Sequence, residues 1–175
     1  MTDASSWGLG LYFPWQNLGF YAPLPKGIPT DGVFFPESLA ICSAIHKVLA
    51  WHSVGRHIKR LAILSDSSNA VSIFTSLRAK PAYNPILMST IDVLIANGTE
   101  HHVNHIPGEC NVVADALSRG KLYLARMLHP SPIPLHILPF QPPSNALSLL
   151  CRCPTPPSLY IPPTVPNNSI LSLYP

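Results

Sequence analysis

Proline lacks a backbone N–H and fixes φ, so where it is dense neither a helix interior nor a central strand forms. Thirteen of this chain's 21 prolines fall between Pro130 and Pro175, in text such as "HPSPIPLHILPFQPPSNA" and "CRCPTPPSLYIPPTVP". That distribution predicts a proline-rich extended or disordered tail over residues 126–175 and confines the folded domain to residues 1–125. The 47% hydrophobic content is ample for one core in a unit of that size.

The net charge of +3 is mild, and it permits a nucleic-acid partner without arguing for one. Cys42, Cys110, Cys151 and Cys153 show neither CxxC spacing nor a regular framework, which reads as free thiols in a reducing compartment. No charged start leads into an apolar stretch, and no run approaches the ~18 apolar residues of a membrane span. The expected location is the cytoplasm or nucleus, with no secretion.

Along the chain, "TDASSWGLGLYF" and "LGFYAPLP" read as strands, with Pro14 at a strand end. "PESLAICSAIHKVLAWHSVG" carries Ile41, Ile45, Val48 and Leu49 at helical spacing, with Pro36 in its first turn and Gly55 near its end. "RLAILSD" predicts a buried strand, and "SSNAVSIFTSLRA" a helix with Val71, Phe74 and Leu77 inward. A helix over "NPILMSTIDVLIANG" closed by Gly98, a strand over "EHHVNHI" and a helix over "CNVVADALSRG" follow. The alternation defines an α/β layer architecture.

Four acids stand where α/β folds place functional groups, at strand ends and helix starts. Asp3 lies in the first strand, Glu37 in the first helical turn, Asp66 at the carboxyl end of a strand and Asp115 inside the last helix. Each also has a structural reading. Asp3 is a charge near an amino terminus, Glu37 gains from the helix dipole, Asp66 suits a helix cap, and Asp115 can face solvent. Asn111 serves either as a cap or as a phosphate contact. Lys47, Arg56, Lys59 and Arg60, with His46, His52 and His57 among them, are the densest basic stretch, read as a solvated loop or a nucleic-acid backbone contact. His101, His102 and His105 lack partners at zinc spacing and read as surface or half-buried histidines.

Together with their surroundings these acids resemble the ribonuclease H domain of reverse transcriptases from retroelements, of the LTR or tyrosine-recombinase retrotransposon type, fungal ones among them. "TDASSWGLG" is similar to that family's first catalytic segment, "PESLAICSAI" to its second and "LSDSSNAV" to its third. "HIPGECNVVADALSRG" is the most specific match and supplies the fourth acid. The resemblance covers Thr2 to about Gly120.

It implies a ribonuclease H-like three-layer fold, with a five-stranded mixed sheet flanked by helices and a first strand truncated at the amino terminus. Asp3, Glu37, Asp66 and Asp115 would then be both catalytic residues and metal ligands. Asn69, Asn111, Arg119, Arg56, Lys59 and Arg60 would contact nucleic acid. Two Mg2+ or Mn2+ ions are the implied cofactors, activating a water on one side of a phosphodiester and stabilising the departing 3′ oxygen on the other. The implied substrate is the RNA strand of an RNA–DNA hybrid, recognised by 2′-hydroxyls and duplex shape, and the implied partners are reverse transcriptase or integrase portions of a parent polyprotein. Glu109 stands in the region where many such enzymes carry a mobile-loop histidine. The short first strand favours a fragment of marginal stability, and a competing function follows from it: an inactive nucleic-acid-binding or scaffold remnant.

Overall fold

Leu9 and Leu11 alternate with Gly10 and Tyr12, and this period of two gives the central sheet its two faces. The computed structural model describes residues 1–28, 34–51 and 58–148. They form six strands, β1 (Thr2–Ala4), β2 (Gly8–Phe13), β3 (Leu18–Pro23), β4 (Arg60–Ser65), β5 (Glu100–His105) and β6 (His136–Pro139). Five helices accompany them: α1 (Phe35–Ala50), α2 (Ser68–Ser76), α3 (Asn84–Asn97), α4 (Val112–Ser118) and α5 (Leu122–Leu128). The strands make one sheet in the order β5-β4-β1-β2-β3-β6. β1, β2 and β3 run antiparallel in succession, while β4 pairs parallel with β1 and β5, and β6 parallel with β3.

On one face Leu9, Leu11 and Phe20 meet Leu39, Ile41 and Ile45 of α1 in the main core. On the other, Tyr12 joins Val113, Ala114 and Leu117 of α4 in a smaller one. Gly10 sets the closeness of that second contact. A Cβ built there would lie 2.2 Å from the Ala114 carbonyl oxygen and 2.6 Å from the Ser118 nitrogen. Only a residue without a side chain lets α4 approach β2 so closely. The mixed α/β architecture read from the sequence is present, with helices on both faces of the sheet.

Several local expectations change. "TDASSWGLGLYF" is two strands, β1 and β2, joined by a turn in which Ser5 N donates to Gly8 O at 2.9 Å and Trp7 N to Ser5 Oγ at 3.1 Å. A serine hydroxyl supplies the turn chemistry that glycine or asparagine usually signals. Leu77 is 51% exposed, not inward-facing, because it closes α2 in the left-handed conformation at φ 54°. Gly98 closes α3 at φ 58°, as its position predicts. The expected helix end near Gly55 lies outside the described residues.

The sheet has six strands where the resemblance implies five, and order does not stop at residue 125. α5 extends to Leu128, and β6 adds a parallel edge strand along β3 from Leu18↔His136 to Tyr21↔Pro139. Proline is tolerated there because β6 is an edge. Leu135 and Ile137 pack into the smaller core, and Ala146 into the main one. His129 fastens the segment, with Nδ1 2.9 Å from the Tyr12 hydroxyl and Nε2 3.0 Å from Asn17 Oδ1. Tyr12→Phe removes one partner of a buried nitrogen. It is expected to cost about 1–3 kcal/mol, readable as a lower denaturation midpoint with an unchanged m-value.

Candidate metal centre

Register alone brings two acids together. Thr2 pairs with Ser65 across parallel β1 and β4, so the next residue on each strand, Asp3 and Asp66, lies at the same end of the sheet. α1 packs on β1 and brings Glu37, in its first turn, to the same place. Asp3, Glu37 and Asp66 each offer a carboxylate oxygen, and these oxygens lie within 4.8 Å of one another. The three come from three different elements separated in sequence, which is how a sheet end gathers ligands.

Asp115 stands beside this group without entering it. Its Oδ1 accepts from Arg119 Nε at 2.7 Å on the exposed face of α4, the i,i+4 pair that the spacing predicts. Its charge nonetheless acts on both Asp3 and Glu37.

The neighbours hold the carboxylates in place. Asn111 is almost wholly buried, and its Nδ2 donates to Thr2 O at 2.9 Å and to Asp66 Oδ1 at 3.2 Å, which ties the β1–β4 seam to α4. It makes no side-chain cap for α4. Ser118 Oγ donates to Asp3 Oδ2 and to Asp115 O. Gly108 passes close to Asp66, where a Cβ would stand 3.3 Å from Oδ2, and His105 Nε2 lies 3.0 Å from the Asp66 carbonyl oxygen. The cap of α2 is Ser67, whose Oγ accepts from Ala70 N at 3.4 Å. The capping role open to Asp66 is therefore taken by its neighbour, and the Asp66 carboxylate is left to the cluster.

Burial is the main electrostatic cost at this end of the sheet. It pushes the Asp3 carboxyl up to about 6; the Ser118 hydrogen bond opposes this, and the Asp66 and Asp115 charges add to it. Burial followed by the charges of Asp3 and Asp66 pushes Glu37 up to about 8, against a hydrogen bond from the Ala4 backbone. Glu37 Oε2 and Asn111 Oδ1 are buried with no hydrogen-bond partner among the described residues.

This donor set fits a cation. Carboxylate oxygens are hard ligands that suit Mg2+ or Mn2+, and an ion would meet both the unpartnered Glu37 oxygen and the uncompensated charge. Two carboxylates about 4 Å apart repel by roughly 4 kcal/mol at an effective dielectric of 20. Arg119 opposes the negative charge at Asp3, and it is already engaged with Asp115.

A raised carboxyl pKa stabilises the fold at low pH and loses that contribution as pH climbs toward the folded value. The Met1 ammonium, pushed down to about 5 by burial, works in the opposite sense between about 5 and 8. Comparing variants removes the Met1 contribution. In metal-free buffer, Glu37→Gln is expected to raise Tm relative to wild type, by more at pH 8 than at pH 5. A difference that does not grow with pH would contradict the buried, charged cluster.

The other expected contacts are not gathered here. Lys59 and Arg60 stand exposed at the opposite end of β4 from Asp66, roughly 20 Å away at ~3.3 Å per residue. Asn69 is exposed in the first turn of α2. Arg56, His52 and His57 lie outside the described residues. Lys47 sits over the Phe20 ring at 4.6 Å, and His46 bonds to Ser89.

Sequence reading did not single out Ser118, nor the bracing role of Asn111. Both act across more than a hundred residues, and the only local signal was their place in the "CNVVADALSRG" block. No family model matches the chain, and neither curated proteins nor solved structures yielded a match. Fold and site together define a mixed α/β protein with a three-carboxylate cluster able to hold a metal ion.

Proposed function

We infer that the chain is a ribonuclease H-like nuclease of the retroelement type that cuts the RNA strand of RNA–DNA hybrids with divalent metal. The observation that carries this reading is the meeting of Asp3 of β1, Glu37 of α1 and Asp66, just past β4, at one end of the sheet. The antiparallel β1–β2–β3 succession and the parallel β4 and β5 support it.

Asp3, Glu37 and Asp66 would hold the metal, and Asp115 would contribute from α4 to a second ion. Bound there, Mg2+ or Mn2+ supplies Lewis acidity toward a phosphodiester and makes water a nucleophile at neutral pH. Asn111 fixes the Asp66 carboxylate, Ser118 fixes that of Asp3, and Arg119 orients Asp115. Positioning three anions before substrate arrives leaves less reorganisation to the reaction itself. Hybrid selectivity would come from 2′-hydroxyl contacts and duplex shape.

One observation favours a second reading, a nucleic-acid-binding or scaffold domain without chemistry: Asp115 is engaged by Arg119 and stands outside the three-carboxylate group. The test is a labelled RNA–DNA hybrid in Mg2+ or Mn2+, beside single-stranded RNA and duplex DNA. Hybrid-selective cutting that EDTA stops supports the nuclease. Hybrid binding without cutting by a folded sample favours the second reading.

A further inference from the structure

The turn that follows Asp3, between β1 and β2, carries Trp7, which is 74% exposed. Ser5 fastens this turn to the end of α4. Its hydroxyl accepts from Trp7 N at 3.1 Å and donates to Ser118 O at 2.8 Å. A Cβ built at Gly8, the residue after Trp7, would stand 3.2 Å from the same carbonyl oxygen. Trp7 O in turn accepts from Leu24 N at 3.3 Å. The indole is therefore displayed from a fixed backbone beside Ser118, whose own hydroxyl holds Asp3.

The chain leaves α4 at this place. Gly120 closes the helix in the left-handed region at φ 69°, with Gly120 N donating to Leu117 O at 3.0 Å and Lys121 N to Ala116 O at 2.8 Å. The corner presents Arg119, Lys121 and, in the first turn of α5, Tyr123, all of them exposed, Tyr123 by 75%. Arg119 is engaged with Asp115, whereas Lys121 makes no ion pair among the described residues. No Asp or Glu follows Asp115 in the sequence. The α4–α5 corner thus brings no acid of its own to offset Lys121, and it stays cationic next to the acidic cluster.

Exposed aromatic rings beside an unengaged cation suit nucleic acid, the cation taking a phosphate and the ring a base face. The rings narrow the class further. In a duplex the base faces are covered by their neighbours in the stack, and only an unpaired nucleotide offers its face to an indole or a phenol. A continuous duplex would use Lys121 and leave Trp7 without a partner. The strand nearest Trp7 is the one whose phosphodiester lies at Asp3, because Ser118 joins the two.

We propose, on the basis of the nuclease reading, that Trp7, Tyr123 and Lys121 form a platform for a single-stranded extension of the RNA strand adjoining the hybrid. The indole and the phenol stack on unpaired bases, and the Lys121 ammonium meets a phosphate. The preferred substrate is then a hybrid next to a single-stranded segment of any sequence, since every base has a face to stack.

The test measures binding of the full chain to labelled hybrids in EDTA, where no metal-dependent cutting intervenes. One hybrid is blunt, and the others carry an extension of roughly six nucleotides on the 5′ or the 3′ end of the RNA strand. At least one extended hybrid is expected to bind roughly tenfold more tightly than the blunt one. Trp7→Ala is expected to remove that advantage, and Trp7→Phe to restore part of it. Lys121→Ala is expected to reduce the salt slope for the extended hybrid by about one. Equal affinity for the blunt and both extended hybrids would overturn the proposal, as would an advantage that survives Trp7→Ala or a failure of the extended hybrids to bind at low salt. A cleavage assay in Mg2+ or Mn2+ separates this from the nuclease reading. Hybrid cutting with no gain from an extension would sink the platform and leave the nuclease. A Trp7-dependent gain in binding with no cutting would sink the nuclease and leave the platform.

Discussion

Asp66→Asn is expected to abolish metal-dependent hybrid cleavage while leaving the fold intact. The isosteric amide retains an oxygen to accept from Asn111 Nδ2, so the tie between α4 and the β1–β4 seam survives. What disappears is one of the three anionic ligands that meet within 4.8 Å. A loss of roughly 10³-fold in cleavage, about 4 kcal/mol of transition-state stabilisation, is the expected size. Calorimetric titration with Mn2+ should show the matching drop in affinity, with Tm in metal-free buffer unchanged or raised. Cleavage by Asp66→Asn at the wild-type rate would place any nuclease activity elsewhere.

The largest structural effect is expected from Gly10→Ala. The added methyl would meet the Ala114 carbonyl at 2.2 Å and the Ser118 nitrogen at 2.6 Å. Both are backbone atoms of α4, so no side-chain rotation relieves the clash, and the helix must move away from β2. Overpacking of this kind costs about 1–3 kcal/mol and sometimes more, and a backbone obstacle on both sides puts this case at the upper end. A fall in Tm of roughly 10 °C is expected. Because α4 carries Ser118 and Asp115 and follows directly on Asn111, metal affinity should fall with stability. Wild-type Tm and Mn2+ affinity in Gly10→Ala would contradict the tight α4–β2 contact.

These two expectations differ in how far the sequence alone supports them. Asp66 was legible because a strand pattern ended on an acid and a helix followed, although its competing role as a cap was equally legible. Ser67 takes that role, and only coordinates reveal which of two adjacent polar residues turns back to the helix. α1 and α3 were legible because their apolar periodicity is long and proline stands in the first turn of each, and β4 because a short apolar run ends on an acid.

Gly10 gave no local sign of its importance, since its constraint comes from a helix more than a hundred residues later. The β1–β2 turn was hidden because Ser5 replaces the usual glycine or asparagine. β6 was hidden for the opposite reason, since its prolines argue against a strand and only an edge position admits one. Charge density along the chain does not disclose position in space. Lys59 and Arg60 are neighbours of Asp66 in sequence, yet an extended strand carries them to the other end of the sheet.

Ser118 and Asn111 extend the site in a way that composition does not disclose. A serine donating to Asp3 and an asparagine donating to Asp66 hold two anions of like charge side by side. Such bracing is what a cation-binding cluster needs before its ion arrives. Burial and the charges of Asp3 and Asp66 push Glu37 up to about 8, a cost that a bound cation would offset.

The most direct test of the central claim is anomalous scattering from crystals soaked in Mn2+. The expected result is manganese within coordination distance of the carboxylates of Asp3, Glu37 and Asp66, absent from Asp66→Asn crystals treated in the same way. Manganese found only at other surface acids, with the three carboxylates unliganded at saturating concentration, would contradict it.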